Sequence, residues 1–171
     1  MGNNYSIWLV PEKESKVRKE LEETISELSE EYDSPKFIPH ITLLGGLDSD
    51  LSTLKNAVSN LAGQYGTLEI NFQSTHFSTT MHQCNYLLVK PTKDLLRLHE
   101  KLRKEFGEAE GMYTPHLSLI YSNMSISERE KLDEELGDLP DGFSSGRIVI
   151  FDTSGTEEEW HQVAEFGLEE P

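Results

Sequence analysis

Two six-residue stretches repeat the same residue types in the same order: Pro39-His40-Ile41-Thr42-Leu43-Leu44 and Pro115-His116-Leu117-Ser118-Leu119-Ile120. Side chains of an extended strand alternate between faces, so His40 shares a face with Thr42 and His116 with Ser118, while the aliphatic residues between them point the other way. Each stretch thus offers an imidazole that titrates near neutral pH beside a hydroxyl that can donate a hydrogen bond. Two such pairs suit acid/base chemistry on a small phosphate ester. One imidazole takes a proton from the nucleophile, the other delivers one to the leaving oxygen, and the hydroxyls hold the charge that builds on the non-bridging oxygens. A lone His-x-Thr would more readily be structural; its recurrence inside a longer repeat singles out His40, Thr42, His116 and Ser118.

The longer repeat is the scaffold these residues need. An apolar run closed by proline, Ile7-Trp8-Leu9-Val10-Pro11, precedes His40, and Leu87-Leu88-Val89-Lys90-Pro91 precedes His116. A charged, helix-like segment follows each proline. After each histidine motif come another helical segment and a glycine-opened strand, Gly66 to Ile70 in one half and Gly146 to Ile150 in the other. The pattern predicts an α+β fold of two similar lobes of antiparallel sheet with outer helices, built by internal duplication around a central cleft. A single bilobal domain is expected, with halves at roughly 1–80 and 81–171 and the histidine strands facing each other.

Individual elements follow from periodicity. Tyr5 to Val10 reads as a strand that Pro11 ends. From Glu12 to Tyr32, Val17, Leu21, Ile25, Leu28 and Tyr32 recur at helical spacing, as do Leu51, Leu54, Val58 and Leu61 after the Ser49-Asp50 cap, and Leu95, Leu98, Leu102 and Phe106 after Thr92. Lys36 to Leu44 forms the first histidine strand, closed by Gly45-Gly46, and the second runs through Tyr121. Leu68 to Phe72, Asn85 to Lys90, Arg147 to Phe151 and Gln162 to Phe166 read as further strands. Thr75 to Gln83 reads as a hairpin tip or a loop over the cleft. Gly107 to Gly111 breaks the third helix, and Ser127-Glu128-Arg129-Glu130 has capping-box spacing for a fourth that ends near Gly137. Glu157-Glu158-Glu159-Trp160 reads as an acidic hairpin tip, with Trp160 and His161 packing. Aromatic side chains that could stack on a nucleobase are Trp8, Phe77 and His82. His76 and His82 have no cysteine or carboxylate at ligand spacing, so no metal and no cofactor is expected.

With 15 Lys and Arg against 31 Asp and Glu, the net charge is -16. Such a surface is ill suited to long nucleic acid, whose phosphates must be neutralised by clustered cations. A small substrate and a monomer are expected. Cys84 is the single cysteine, which precludes an internal disulfide and fits a reducing, cytoplasmic setting. No stretch approaches a membrane span, and no leader pattern is visible.

The paired Pro-His-x-Thr/Ser motifs resemble the signature motifs of the two-histidine (2H) phosphoesterase superfamily. Tyr5-Ser6-Ile7-Trp8, the extension of the second motif to Tyr121, Gln83-Cys84 and the Thr156 to Val163 segment containing Trp160 are similar to the plant-type cyclic phosphodiesterases. The resemblance runs over nearly the whole chain. It implies two α+β lobes around a water-filled cleft and metal-free opening of ADP-ribose 1″,2″-cyclic phosphate and nucleoside 2′,3′-cyclic phosphates, in chemistry linked to tRNA splicing. It further implies His40 and His116 as the catalytic pair, with His116 as base and His40 as acid, and Thr42, Ser118 and Tyr121 as phosphate ligands. Tyr121 lies at an odd offset from His116, so it reaches the same face only if the strand bends. Two other readings are an RNA ligase or 3′-end exonuclease of the same superfamily and a non-catalytic nucleotide-binding module.

Overall fold

The computed structural model describes residues 2–107 and 112–168. Eight strands and four helices follow in chain order: β1 (Tyr5–Leu9), α1 (Lys16–Tyr32), β2 (Ile41–Leu47), α2 (Leu51–Ala62), β3 (Leu68–Phe77), β4 (Asn85–Val89), α3 (Lys93–Phe106), β5 (His116–Ile120), α4 (Ile126–Glu135), β6 (Gly142–Ser145), β7 (Arg147–Asp152) and β8 (His161–Gly167). A 3₁₀ turn, Glu157–Glu159, links the last two strands.

The helices begin where polar side chains can accept the first free N–H groups. Ser15, Asp50 and Thr92 each accept from the backbone three residues on. The fourth cap differs from expectation: Ser125 and Glu128 form the capping box, two residues before the predicted start, because Ser125 is extended and α4 begins at Ile126. Gly107, with φ +66°, closes α3 in the left-handed conformation and donates to Arg103. The rest of the expected Gly107 to Gly111 break lies outside the described residues.

All eight strands join one antiparallel sheet in the order β6-β3-β4-β5-β2-β1-β7-β8. This order is symmetric about its centre: β5 mirrors β2, β4 mirrors β1, β3 mirrors β7 and β6 mirrors β8. The duplication seen in the sequence is therefore present, with two corrections. The halves of the sheet are not the halves of the chain, because β3 crosses to join β4 and β5, while β7 and β8 return to flank β1. The histidine strands do not face each other across a gap; they are neighbours, joined at Ile41↔Leu117.

One large core lies on a single side of the strands. Ile7, Leu9, Ile41, Leu43, Leu117, Leu119, Ile148 and Ile150 meet Leu21, Leu54, Leu98 and Leu102 from the helices, all essentially inaccessible. Alternation leaves Ser6 and Trp8, His40 and Thr42, and His116 and Ser118 on the other side. The helices exchange halves as the strands do: α1 packs on β5, and α3 on β2.

β3 extends through Phe77 across a register shift between Phe72 and Thr75, so part of the predicted loop is strand. β2 likewise runs past Gly45-Gly46 to Leu47. β6 was not legible, since only Phe143 supplies an apolar side chain. It forms because Gly142 lies flat on β3, where a Cβ would come within 2.0 Å of the Ile70 carbonyl.

Ile41 and Leu117 are both fully buried at the joint between the sheet halves. Leu117→Ala should lose about 2–5 kcal/mol in urea unfolding by opening a cavity there; a loss below about 1 kcal/mol would show that the joint is not tightly packed.

Candidate active site

The antiparallel bridge at Ile41↔Leu117 sets the geometry of the four motif residues. Carried one residue either way, the register places His40 across from Ser118 and Thr42 across from His116. All four line one cleft of about 410 Å³, together with Tyr121 and His82. The structure thus gathers every motif residue that the sequence singled out.

Both imidazoles are oriented by the same local device. The Nδ1–H of His40 donates to the Ile38 carbonyl at 2.8 Å, and that of His116 to the Thr114 carbonyl at 2.9 Å. In each case a proline stands between donor and acceptor. Proline holds the preceding residue extended, which presents that residue's carbonyl to the ring two positions on. With Nδ1 so engaged, Nε2 of each ring is the nitrogen left for chemistry in the cleft.

The two histidines differ in burial. His40 is 6% exposed, its ring stacked on Trp8 at 3.6 Å between centroids and edge-on to Phe37 at 6.1 Å. Burial lowers its pKa to about 4; the Ile38 hydrogen bond opposes this, and the nearby His116 and His82 add to it. His116 is half-buried, and burial lowers its pKa too, against the opposing Thr114 bond.

β2 and β5 splay apart beyond their single bridge, which leaves the carbonyls of β2 in need of other donors. Tyr113 donates its hydroxyl to the Thr42 carbonyl at 2.7 Å, and His99 Nδ1 donates to the Leu43 carbonyl at 2.7 Å. Their rings stack at 3.7 Å, so α3 and the approach to β5 together hold the first histidine strand. The hydroxyl of Ser118 donates to the His82 carbonyl at 2.7 Å. To bind phosphate as a donor it must turn from that carbonyl into the cleft.

Tyr121 settles the offset problem. β5 ends at Ile120, and the chain turns so that Tyr121 enters the cleft, its hydroxyl 3.4 Å from His40 Nε2 and its ring stacked on Phe37 at 3.8 Å. Burial raises its pKa, and Glu157 adds to the rise, so it stays a neutral hydroxyl.

The expected stacking residues fare differently. Trp8 lines the cleft but sits on β1 between β2 and β7, with His40 against one side and Phe151 at 4.2 Å against the other. No face is left for a base. Phe77 does not line the cleft; it ends β3, paired with Asn85. His82 does line it, edge-on to Tyr121 at 4.8 Å, with Nε2 2.7 Å from Glu157 Oε1. Burial raises the pKa of Glu157, but the His82 hydrogen bond helps outweigh it and the net shift is downward. Sequence reasoning missed Trp160 as a cleft residue, along with Asn4, Ser6 and Thr153. The acidic run before Trp160 masked it, because nothing local says that the β7–β8 connection folds back over β1.

Because His40 is held neutral in the fold but titrates near 6.5 in the unfolded chain, protons favour unfolding. Stability from this residue is complete above about pH 6.5 and is lost as pH falls toward 4, by about 3 kcal/mol in all. Urea unfolding between about pH 7.5 and 4.5 should therefore fall off less steeply in His40→Asn than in the wild type. Equal slopes would mean that His40 is not held neutral.

The family model for cyclic phosphodiesterase-like proteins matches residues 1–168. An Arabidopsis thaliana protein named cyclic phosphodiesterase is 27% identical over 94% of this chain and 92% of its own. A Yarrowia lipolytica protein named 2′,3′-cyclic-nucleotide 3′-phosphodiesterase is 30% identical over 77% of this chain and 63% of its own. The fold is shared with Escherichia coli LigT solved with phosphate, at TM-score 0.61, 12% identity and 99% coverage of both chains. It is shared also with a Thermus thermophilus protein, at TM-score 0.68, 14% identity and 98% coverage of both. With a match over nearly its full length and a cleft that gathers both motifs, the chain belongs to the cyclic phosphodiesterase-like protein family.

Proposed function

We propose that this protein hydrolyses nucleoside 2′,3′-cyclic phosphates to nucleoside 2′-phosphates, and ADP-ribose 1″,2″-cyclic phosphate to ADP-ribose 1″-phosphate, by two-histidine acid/base catalysis without a metal. The observation that carries this reading is the matched pair of imidazoles, each fixed through Nδ1 and each presenting Nε2 to one cleft. The family match and the relatives' names support the substrate class. The net charge of -16 supports a small substrate over an RNA chain, and a small cyclic phosphate left by tRNA splicing is one such substrate.

In this mechanism the cyclic phosphate lies between His40 and His116. His116 removes a proton from water as its oxygen bonds to phosphorus, and His40 gives a proton to the departing ribose oxygen as the P–O bond breaks. Thr42, Ser118 and Tyr121 donate to the non-bridging oxygens. Burial works against this order, since His40 holds a proton less readily than a free imidazole. Two features oppose it: the phosphate anion seated against His40, and the indole of Trp8, whose π face attracts an imidazolium. The substrate thus brings the charge that readies its own acid.

His40→Ala and His116→Ala should each lower kcat at least ~100-fold with folding intact, as loss of a positioned acid or base does. Retention of about a tenth of the wild-type turnover would remove that histidine from the mechanism. Turnover should persist in excess chelator, since protons are carried by imidazoles. Loss of turnover in chelator, restored by one divalent ion, would overturn the metal-free reading.

A further inference from the structure

Beside the catalytic cleft lies a second cavity of about 420 Å³ that shares Trp8 and Trp160 with it. The two adjoin across Trp160, whose ring lies 6.0 Å from both Trp8 and Tyr121. Phe37, Ile38 and Phe151 give the second cavity flat apolar walls. Its polar groups are mainly acceptors: the carboxylates of Glu22, Glu157 and Glu158, against the ammonium of Lys36 and the hydroxyl of Ser26. Lys36 is drawn to Glu30, 3.3 Å away, as Glu22 is to Arg18 and Glu157 to His82.

The excess of carboxylates over cations in this lining disfavours a phosphate. The lining fits an uncharged planar ring that lies against the aromatic walls and offers amino hydrogens to carboxylates. We propose that this cavity is the nucleobase subsite for the substrate, fitted to a base that carries an exocyclic amine. The inference rests on the proposed function for its substrate but draws on residues that take no part in the chemistry. With the cyclic phosphate between His40 and His116, the base passes Trp160, and its exocyclic amine meets the carboxylates of Glu157 and Glu158. Trp160 stacks against the base in place of Trp8, whose two faces are taken by His40 and Phe151.

Ser26 is half-buried on α1 at the wall of this cavity and outside the catalytic cleft, so Ser26→Phe fills the subsite alone. On 2′,3′-cyclic AMP this variant should lose at least ~10-fold in kcat/KM. On methyl riboside 2,3-cyclic phosphate, which has no base, it should match the wild type. An equal change on the two esters, or none on either, would overturn the subsite. If the wild type cleaves neither ester, the proposed function fails, and the subsite is then judged by adenosine alone. Saturable quenching of the emission of Trp8 and Trp160, weakened by Ser26→Phe, would support it, and absence of quenching would overturn it.

Discussion

The active site depends on one backbone bridge, Ile41 to Leu117, at the centre of the sheet. Antiparallel pairing at that point sets the imidazole of each strand across from the hydroxyl of the other, and the fully buried aliphatic residues behind it keep both strands in place. A slip of either strand by one residue would turn its histidine into the core. The bridge is also isolated, so the strands diverge on either side of it. That divergence opens room for a ligand and is stabilised by donors from elsewhere, Tyr113 and His99, which take up the carbonyls that a continuous ladder would have used.

Symmetry built the site, and burial then distinguished its halves. Each histidine has the same proline, the same carbonyl partner and the same hydroxyl neighbour. His40, however, has Trp8 on its face and Phe37 at its edge, whereas the ring nearest His116 is Tyr86, edge-on at 5.2 Å. Trp8 lies across from Thr42, and the residue across from Ser118 on β4 is Tyr86. An indole stacked on one imidazole and a phenol edge-on to the other leave two nearly identical motifs unequally buried.

The rim of the cleft is where the halves depart furthest. On one side is the β3–β4 connection, anchored by the buried Arg129, whose guanidinium donates to the carbonyls of Ser78, Thr80 and Ser122. On the other is the β7–β8 connection with its 3₁₀ turn. His82 and Glu157 bridge them, and Trp160 beside this bridge separates the two cavities. Arg129 is buried through fixed hydrogen bonds to carbonyls, and it holds the loop that brings His82 to Ser118.

Much of this was legible in the order of the residues: the duplication, the four side chains that face the cleft, and most of the helices and strands. These are local properties. Alternation decides which side chains share a face, proline and capping residues set where elements start and stop, and helical spacing is visible wherever an apolar stripe must be buried. Tyr121 was legible as a motif residue, though not its direction, which depends on the strand ending at Ile120. Folding in three dimensions settled what alternation cannot encode. It placed the histidine strands side by side, exchanged β3 and β7 between the sheet halves, and put Trp8 between His40 and Phe151. It also brought Trp160 to the cleft that Trp8 lines, although the two tryptophans stand far apart in the chain. Contacts across a sheet are set by strand order and register, and both are fixed by the joint burial of residues distant in the chain.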